Sequence, residues 1–373
     1  MTAIVALTAL YLFIAAVSMI GAGLKCIARD DAGRDFLQWL FGLVDDPMTG
    51  LFIGLLVTSF VQSSSFTTSM TVGLVATGQI SLPAAIPIVM GANVGTSVTN
   101  ILVSLAHVRR RREFRRSLGG AIVHDFFNVL SVLVLLPLEY AFRIISSLTG
   151  LISGALEGTR YFDADPTKSF GFIKKTFAAV GSLFKWLFLD VLGLSPTVGG
   201  TIIAALALVM LFAALWLLVI MLRGLLQGRL SGVFSRTIFR NPPIAFVVGI
   251  IITAAVQSSS VTTSLVVPLV GAGILTLRQI YPYTLGANIG TTLTAMLAAL
   301  GTGSAPAMAC AFGHLLFNIF GTIIFWPLQA IPISLARSFA KLASRRRLIA
   351  AVYIIAVFFV LPILAIVIIR LCK

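Results

Sequence analysis

The sequence QSSSFTTS at Gln62–Ser69, followed by GANVGT at Gly91–Thr96, occurs a second time in the chain. QSSSVTTS stands at Gln257–Ser264 and GANIGT at Gly286–Thr291, so every matching position is shifted by 195 residues. Across the 38 positions that begin at Gln62, 19 are identical without a gap. Apolar segments share Leu, Val and Ala by chance, but not a glutamine, three serines and an asparagine in fixed register. The sequence therefore contains an internal repeat.

The repeat extends beyond these two motifs. Pro47 and Pro242 precede the two copies at the same shift, while HDFFN at His124–Asn128 matches HLLFN at His314–Asn318 at a shift of 190. We predict a first repeat unit at residues 1–140 with its core at 47–140, an extracellular connection at 141–196, a second repeat unit at 197–330 with its core at 242–330, and a basic cytoplasmic segment with a last transmembrane helix at 331–373.

The composition is that of a membrane protein. Hydrophobic residues make up 58% and charged residues 10% of the chain, and the mean hydropathy is +1.05, whereas soluble proteins carry about 25% charged residues. The apolar segments are long and do not alternate, which predicts helices in a lipid bilayer rather than a barrel. The net charge of +15 comes from arginines in short runs beside apolar segments. These runs are typical of cytoplasmic loops, so we expect no nucleic-acid partner.

Apolar segments long enough to span the membrane are Ile4–Leu24, Leu82–His107, Leu118–Tyr140, Val198–Leu222, Ile280–Leu300, Ala307–Gln329 and Leu348–Ile369. The apolar segments around each QSSS sequence are too short to span, which predicts a re-entrant helical hairpin with a polar tip in each repeat. Leu82–His107 and Ile280–Leu300 each contain the Gly-Ala-Asn motif. Because its glycines interrupt the apolar segment, we expect a broken helix in both.

Charge predicts how the repeats are oriented. Lys25–Asp46 has three basic and five acidic residues, whereas its counterpart Arg223–Arg240 has four basic and no acidic residues. Arg109–Arg116 contains six arginines, whereas its counterpart Gly301–Pro306 is neutral. The predicted fold class is therefore an all-α integral membrane protein with two inverted-topology repeats, an arrangement found in secondary transporters.

The repeated motifs contain groups that are suited to binding ions. In an inverted pair the two tips meet near the bilayer midplane, where helix N-termini and hydroxyl groups bind anions. Unwound carbonyls together with hydroxyl and amide oxygens suit an alkali cation. A single Ser-Thr cluster is more often a packing feature that hydrogen-bonds within its own helix, but two copies in register, each beside a glutamine, favour a site.

Asp125 is a carboxylate inside a predicted span, and its counterpart in the second repeat is Leu315. A membrane-embedded acid indicates a cation site or a proton relay, although a structural pair with His124 stays open. The sequence has no Ser-His-Asp order, phosphate-binding loop or metal-ligand spacing, and its three cysteines are scattered. We therefore expect no enzyme, no cofactor and no metal other than Na⁺.

These features, together with the segment Glu113–Glu139, resemble the type II sodium-dependent phosphate cotransporter family. The resemblance covers about residues 47–140 and 242–330. It implies an electrogenic symporter that takes up inorganic phosphate (HPO₄²⁻) with sodium by alternating access between the two tips, and an aspartate at the position of Asp125 goes with the electrogenic members. The implied phosphate ligands are Gln62, Ser63, Ser64, Ser65, Gln257, Ser258, Ser259, Ser260, Asn93 and Asn288. The implied sodium ligands are Gln257, Ser258, Thr291, Thr294, Asp125 and Asn128.

The short connection between the repeats and the early end of the chain suggest a compact, multi-pass member in a bacterial cytoplasmic (inner) membrane. Two alternatives stay open: an exporter or proton-coupled carrier of phosphate or another oxyanion, and a channel or membrane receptor. Inverted repeats with broken helices favour alternating access over a channel. The sequence does not decide whether the protein forms a homo-oligomer.

Overall fold

The computed structural model describes residues 2–44, 46–157, 159, 171–227 and 236–372, which form helices joined by short turns, with no β-strand among them. The helices are α1 Thr2–Ile27, α2 Asp31–Phe41, α3 Pro47–Val61, α4 Ser64–Ala76, α5 Leu82–Gly95, α6 Ser97–Leu105, α7 Arg111–Phe142, α8 Ile144–Leu156, α9 Gly171–Lys185, α10 Pro196–Gln227, α11 Arg236–Arg240, α12 Pro242–Val256, α13 Ser259–Gly271, α14 Leu277–Thr302, α15 Ala305–Phe325, α16 Ala330–Ala343, α17 Leu348–Ile355 and α18 Leu361–Leu371. Ala356–Val360, a π-helical turn, joins α17 to α18.

Six segments of the described chain are long and apolar enough to cross a membrane, and each lies where the sequence predicts a span. They are Leu7–Ile27, Leu82–Leu105, Arg111–Phe142, Pro196–Leu217, Ala305–Phe325 and Leu348–Leu371. The all-helical, membrane-spanning fold class is thereby confirmed. Parts of two predicted segments, the connection at 141–196 and Arg223–Arg240, lie outside the described residues.

The helices of the two copies begin and end at equivalent residues. α3 and α12 are 15 residues long, and α4 and α13 are 13 residues long. At ~1.5 Å per residue, none of these four helices reaches across a hydrocarbon core of ~30 Å. Asp46 caps the start of α3 by accepting from Thr49 N, and Asn241 caps α12 by accepting from Ile244 N. Each copy is thus a pair of short helices joined at its QSSS sequence.

The prediction of a broken helix in the second copy is wrong, because α14 is continuous from Leu277 to Thr302. In the first copy the helix is interrupted only at Thr96, whose backbone keeps right-handed helical angles. The glycines serve close packing instead. A β-carbon at Gly91 would lie 1.9 Å from Leu51 O, and one at Gly286 would lie 2.0 Å from Phe246 O. The glycines of each GAN motif therefore let the long helix contact the backbone of the first hairpin helix. They do not unwind the long helix.

The outer ends of the two hairpins contact different parts of the molecule. Ala76 and Thr77, at the end of α4, line a cavity together with Gly301 and Thr302, at the end of α14. The end of α13 instead packs on the start of α7, since a β-carbon at Gly271 would lie 3.2 Å from Ser117 Cβ.

Long helices outside the hairpins complete the packing. α1 and α10 cross at small residues, and a β-carbon at Gly200 would lie 2.7 Å from Gly23 O. Asp30, just after α1, accepts hydrogen bonds from the side chain and backbone N–H of Thr197 and from Gly33 N. These bonds hold the pKa of Asp30 below its usual value, with the Thr197 side chain as the largest cause. A buried cluster of apolar side chains from α1, α4, α10, α14 and α15 supports the hairpins from this side.

Candidate functional site: two QSSS turns and a buried polar network

The two QSSS turns have the same local geometry. Gln62 and Gln257 end the first hairpin helices in the left-handed region, with φ of 58° and 56°. Such angles are uncommon for residues other than glycine and mark a functional or strained position. The serines that follow, Ser63 and Ser258, are extended and cap α4 and α13 by accepting from the backbone N–H three residues on. Each turn therefore reverses the chain within two residues and starts a new helix.

Threonine pairs hold each turn closed. Thr58 Oγ1 donates to Thr67 Oγ1 at 2.8 Å, and the equivalent hydroxyls of Thr253 and Thr262 are also 2.8 Å apart. All four side chains are fully buried. The pairs link the last turn of one hairpin helix to the first turn of the next, so the helix N-termini are held in fixed positions.

The two turns touch each other. Ser65 Oγ, at the start of α4, donates to the backbone carbonyl of Gln257 at 2.8 Å. The first turn of a helix leaves N–H groups without intrahelical partners and carries a partial positive charge. The starts of α4 and α13 thus bring two such ends together at one place, next to two glutamines and six serines.

The glutamine of each turn and a threonine of the long helix are hydrogen-bonded to each other in the first copy but not in the second. Thr99 Oγ1 donates to Gln62 Oε1 at 2.8 Å. Their equivalents, Thr294 Oγ1 and Gln257 Oε1, are buried and have no hydrogen-bond partner among the described residues.

A third pair of equivalent threonines differs in the same way. Thr96 Oγ1 donates to Ala92 O at 3.0 Å, whereas Thr291 Oγ1 is buried without a partner in the described chain. Three hard oxygens around the second turn are therefore left without a donor or acceptor. An unsatisfied buried polar group costs about 1–3 kcal/mol, so these three oxygens distinguish the second turn from the first.

A buried polar network joins the two repeats. His124 Nε2 lies 2.6 Å from Asn288 Oδ1, and Asn288 Nδ2 donates to Asn128 Oδ1 at 2.8 Å. The equivalent groups of the other repeat meet as well: His314 Nε2 lies 3.4 Å from Asn93 Oδ1, which also accepts from Asn318 Nδ2 at 3.4 Å. Each repeat thus supplies a His-x-x-x-Asn pair that contacts the GAN asparagine of the other repeat.

A further bond connects the network to the second hairpin. Asn100 Nδ2 donates to Thr263 Oγ1 at 2.8 Å and lies 3.5 Å from His124 Nδ1. Both Asn100 and Thr263 are buried, so the contact fixes α6 against α13 beside the QSSS turn of the second copy.

Asp125 has a protein partner that its sequence surroundings do not suggest. Its carboxylate is fully buried, and Oδ2 accepts a hydrogen bond from the hydroxyl of Tyr353 in α17. Ser97 interacts with the same carboxyl group, but neither Asp125 Oδ1 nor Ser97 Oγ has a hydrogen bond of normal geometry within the described chain. One carboxylate oxygen is therefore occupied and the other is open.

The structure brings together only part of the predicted ligand set. The two turns are in contact, and Thr291 and Thr294 carry open oxygens on the helix packed against the second turn. Asn93, Asn128 and Asn288 are engaged in the network between the repeats. Sequence reasoning missed Asn100 and Tyr353. Asn100 stands one residue after the repeated stretch, while Tyr353 is 228 residues from its partner in an apolar segment that carries no signal.

Comparison with known proteins places these features in a family. The sequence profile described as Na+/Pi-cotransporter matches residues 12–138 and 210–331, which include both QSSS turns and both His-x-x-x-Asn pairs. The chain belongs to the Na+/Pi-cotransporter family. It is also a multi-pass membrane protein, as the six apolar spans among its described residues indicate.

Curated relatives of this family cover nearly the whole chain. Sodium-dependent phosphate transport protein 2A of Rattus norvegicus is 35% identical over 95% of this chain and 65% of its own length. Sodium-dependent phosphate transport protein 2B of Homo sapiens is 33% identical over 95% of this chain and 63% of its own length. The chain thus spans somewhat less than two thirds of the relatives that it matches. No solved structure matches it.

Proposed function

We propose that this protein is a secondary active transporter that couples inward sodium flow to the uptake of inorganic phosphate. The relatives named above are sodium-dependent phosphate transport proteins, and this activity fits the chemistry of the two turns. The observation that carries the proposal is the contact between the turns, where Ser65 Oγ donates to Gln257 O. Two helix N-termini and six serines converge there without a lysine or arginine in either turn. Neutral donors of this kind bind an anion and still release it.

We infer that phosphate is bound by the residues of the two turns, Gln62, Ser63, Ser64, Ser65, Gln257, Ser258, Ser259 and Ser260. The GAN asparagines, Asn93 and Asn288, are assigned a different role, because their amides are used in the network between the repeats. Each of them anchors the long helix on which the turns rest.

Sodium is assigned to the second copy. Gln257 Oε1, Thr291 Oγ1 and Thr294 Oγ1 are buried oxygens without partners, while their equivalents in the first copy are hydrogen-bonded. Neutral hydroxyl and amide oxygens suit an alkali cation. Asp125 Oδ1 is a further open oxygen, and a sodium ion carried there in addition would make each cycle electrogenic.

We also infer an inverted arrangement of the two repeats. The contacts of the hairpin ends support it: α4 ends beside the end of α14, whereas α13 ends beside the start of α7. Hairpins that enter from opposite membrane faces and meet at their tips are suited to alternating access. The alternative of an exporter uses the same site, and no observation favours a channel.

The proposal is tested by the binding of labelled phosphate to the purified protein in sodium or in choline at equal ionic strength. Thr294→Ala is expected to weaken sodium-dependent phosphate binding about tenfold or more, because it removes an oxygen that nothing else replaces. The matched control is Thr99→Ala, whose hydroxyl is already bonded to Gln62 and which we expect to retain most of the sodium effect. Equal phosphate binding in sodium and choline would contradict the coupling.

A further inference from the structure

Two neighbouring cavities at the start of α7 are lined by an unusual number of cations. The larger has a volume of about 430 Å³ and the smaller about 230 Å³. They share Arg115 and Lys341, and we call the pair the basic cleft. Its cations are Arg111, Arg112, Arg115, Arg116, Arg337, Lys341 and Arg345. No Asp or Glu is among the residues that line either cavity.

The cleft is a built feature of the fold, because three elements form it. α16 lies across α7, and a β-carbon at Gly119 would be 3.7 Å from Ala340 Cβ and 3.5 Å from a Leu277 methyl group. Arg116 extends over the turn that follows α13, since a β-carbon at Gly273 would lie 2.5 Å from Arg116 Nη1. The cleft therefore joins the first repeat, the second hairpin and the segment after the second repeat.

Apolar residues also border the larger cavity. Leu277 is half-buried there, while Val270, Leu275 and Ala340 are almost fully buried. On α16, Leu335 and Leu342 are exposed to 39% and 52%, beside exposed Arg337 and Lys341. An amphipathic helix with leucines on one side and cations on the other lies at the membrane interface.

We propose that the basic cleft binds the phosphate headgroup of an anionic phospholipid, with its acyl chains along Leu277 and the exposed leucines of α16. Seven cations repel one another unless an anion neutralises them, and basic pockets between membrane helices suit anionic headgroups. An inorganic phosphate ion supplies the same charge but leaves the exposed leucines of α16 uncovered. The arginine-rich loop also marks this face as cytoplasmic, where the negative charge of the leaflet lies. The site is separate from the turns of the proposed transport function.

The test is a titration of the purified full-length protein in detergent with fluorescent phosphatidylglycerol at low salt, with phosphatidylcholine of the same chains as comparison. We expect phosphatidylglycerol to bind more tightly to the wild type. Arg115→Gln combined with Lys341→Gln, which removes the two cations shared by both cavities, should weaken phosphatidylglycerol binding about 25-fold, since each cation near a lipid surface accounts for about fivefold. Arg337→Gln alone should weaken it about fivefold, should the double variant not fold.

The matched control is Arg109→Gln combined with Arg346→Gln. It removes the same charge from exposed arginines of the adjoining loops that do not line the cleft, and we expect it to bind phosphatidylglycerol like the wild type. Equal losses in both double variants, or equal binding of the two lipids, would overturn the proposal. Displacement of phosphatidylglycerol by inorganic phosphate at similar concentration would also overturn it, because the cleft would then be a site for the free ion.

Discussion

At the scale of single residues, Asp125 and Tyr353 form the contact with the most direct chemical consequence. The tyrosine hydroxyl occupies one carboxylate oxygen, and the other oxygen is open. Ser97 interacts with this carboxyl group as well, but not with normal hydrogen-bond geometry. A cation at the open oxygen would therefore stabilise the buried carboxylate. The proposed extra sodium, and with it the electrogenic cycle, depends on this position.

We predict that Tyr353→Phe makes stability more sensitive to sodium. Loss of the hydroxyl removes the hydrogen bond to Oδ2 of the buried carboxylate, which costs about 1–3 kcal/mol, and bound sodium should then restore more stability by mass action. The measurement is the Tm in sodium and in choline at equal ionic strength. The control is Tyr353→Phe combined with Asp125→Asn, which should lose the additional sodium effect. A sodium-induced rise in Tm that is the same in wild type and Tyr353→Phe would argue against sodium at Asp125.

At the scale of elements, each long helix contacts the first helix of its hairpin through glycine. Gly286 in α14 lies against the backbone of Phe246 in α12, as Gly91 in α5 lies against Leu51 in α3. A methyl group at either glycine has no room, because its obstacle is a carbonyl oxygen of the backbone, which cannot rotate away like a side chain. The hairpins are thus positioned by close contact between helix backbones.

Gly286→Ala is therefore expected to destabilise the protein by about 1–3 kcal/mol and to lower its Tm. A β-carbon there would lie 2.0 Å from Phe246 O. The control is Gly150→Ala in α8, where a β-carbon has no neighbour within 4 Å and alanine is the better helix former. If Gly286→Ala were as stable as Gly150→Ala, the close approach would not be a structural requirement.

The sequence predicts most helices, but not the role of the GANIGT glycines or the partner of Asp125. Span positions follow from hydropathy, and the two short hairpin helices follow from their length before a polar cluster. The broken second helix was a wrong prediction because GANIGT has two glycines, which permit either an unwound backbone or a close helix contact. The close approach of the Phe246 backbone to Gly286 shows that the second possibility applies. The partner of Asp125 could not be predicted, because Tyr353 is separated from it by 228 residues.

At the scale of the whole molecule, the proposed inverted arrangement of the repeats would place the outer ends of the two hairpins on opposite membrane faces. Gln79 and Ile274 are equivalent positions in the turns that follow α4 and α13. We predict that cysteines at these two positions react with a membrane-impermeant maleimide from opposite sides of a sealed vesicle. The variants should carry Cys372→Ser, since Cys372 is exposed while Cys26 and Cys310 are buried. Labelling of both cysteines from the same side would exclude the inverted arrangement.

The network between the repeats joins equivalent residues of the two copies. Each His-x-x-x-Asn pair contacts the asparagine of the other repeat, at 2.6 Å for His124 and 3.4 Å for His314. The unequal distances accompany an unequal hydrogen bonding of the two glutamine turns, since Gln62 Oε1 accepts from Thr99 whereas Gln257 Oε1 has no partner among the described residues. The proposed sodium site depends on this difference between the copies.

The most direct test of this account is the uptake of labelled phosphate into proteoliposomes that contain the purified protein. An inward sodium gradient is expected to drive accumulation of phosphate above its external concentration, and an equal choline gradient is not. Gln257→Ala should abolish the sodium-driven component, because it removes an open oxygen at the contact between the two turns. Uptake that is indifferent to the sodium gradient, or that proceeds at the wild-type rate in Gln257→Ala, would contradict sodium-coupled transport through this site.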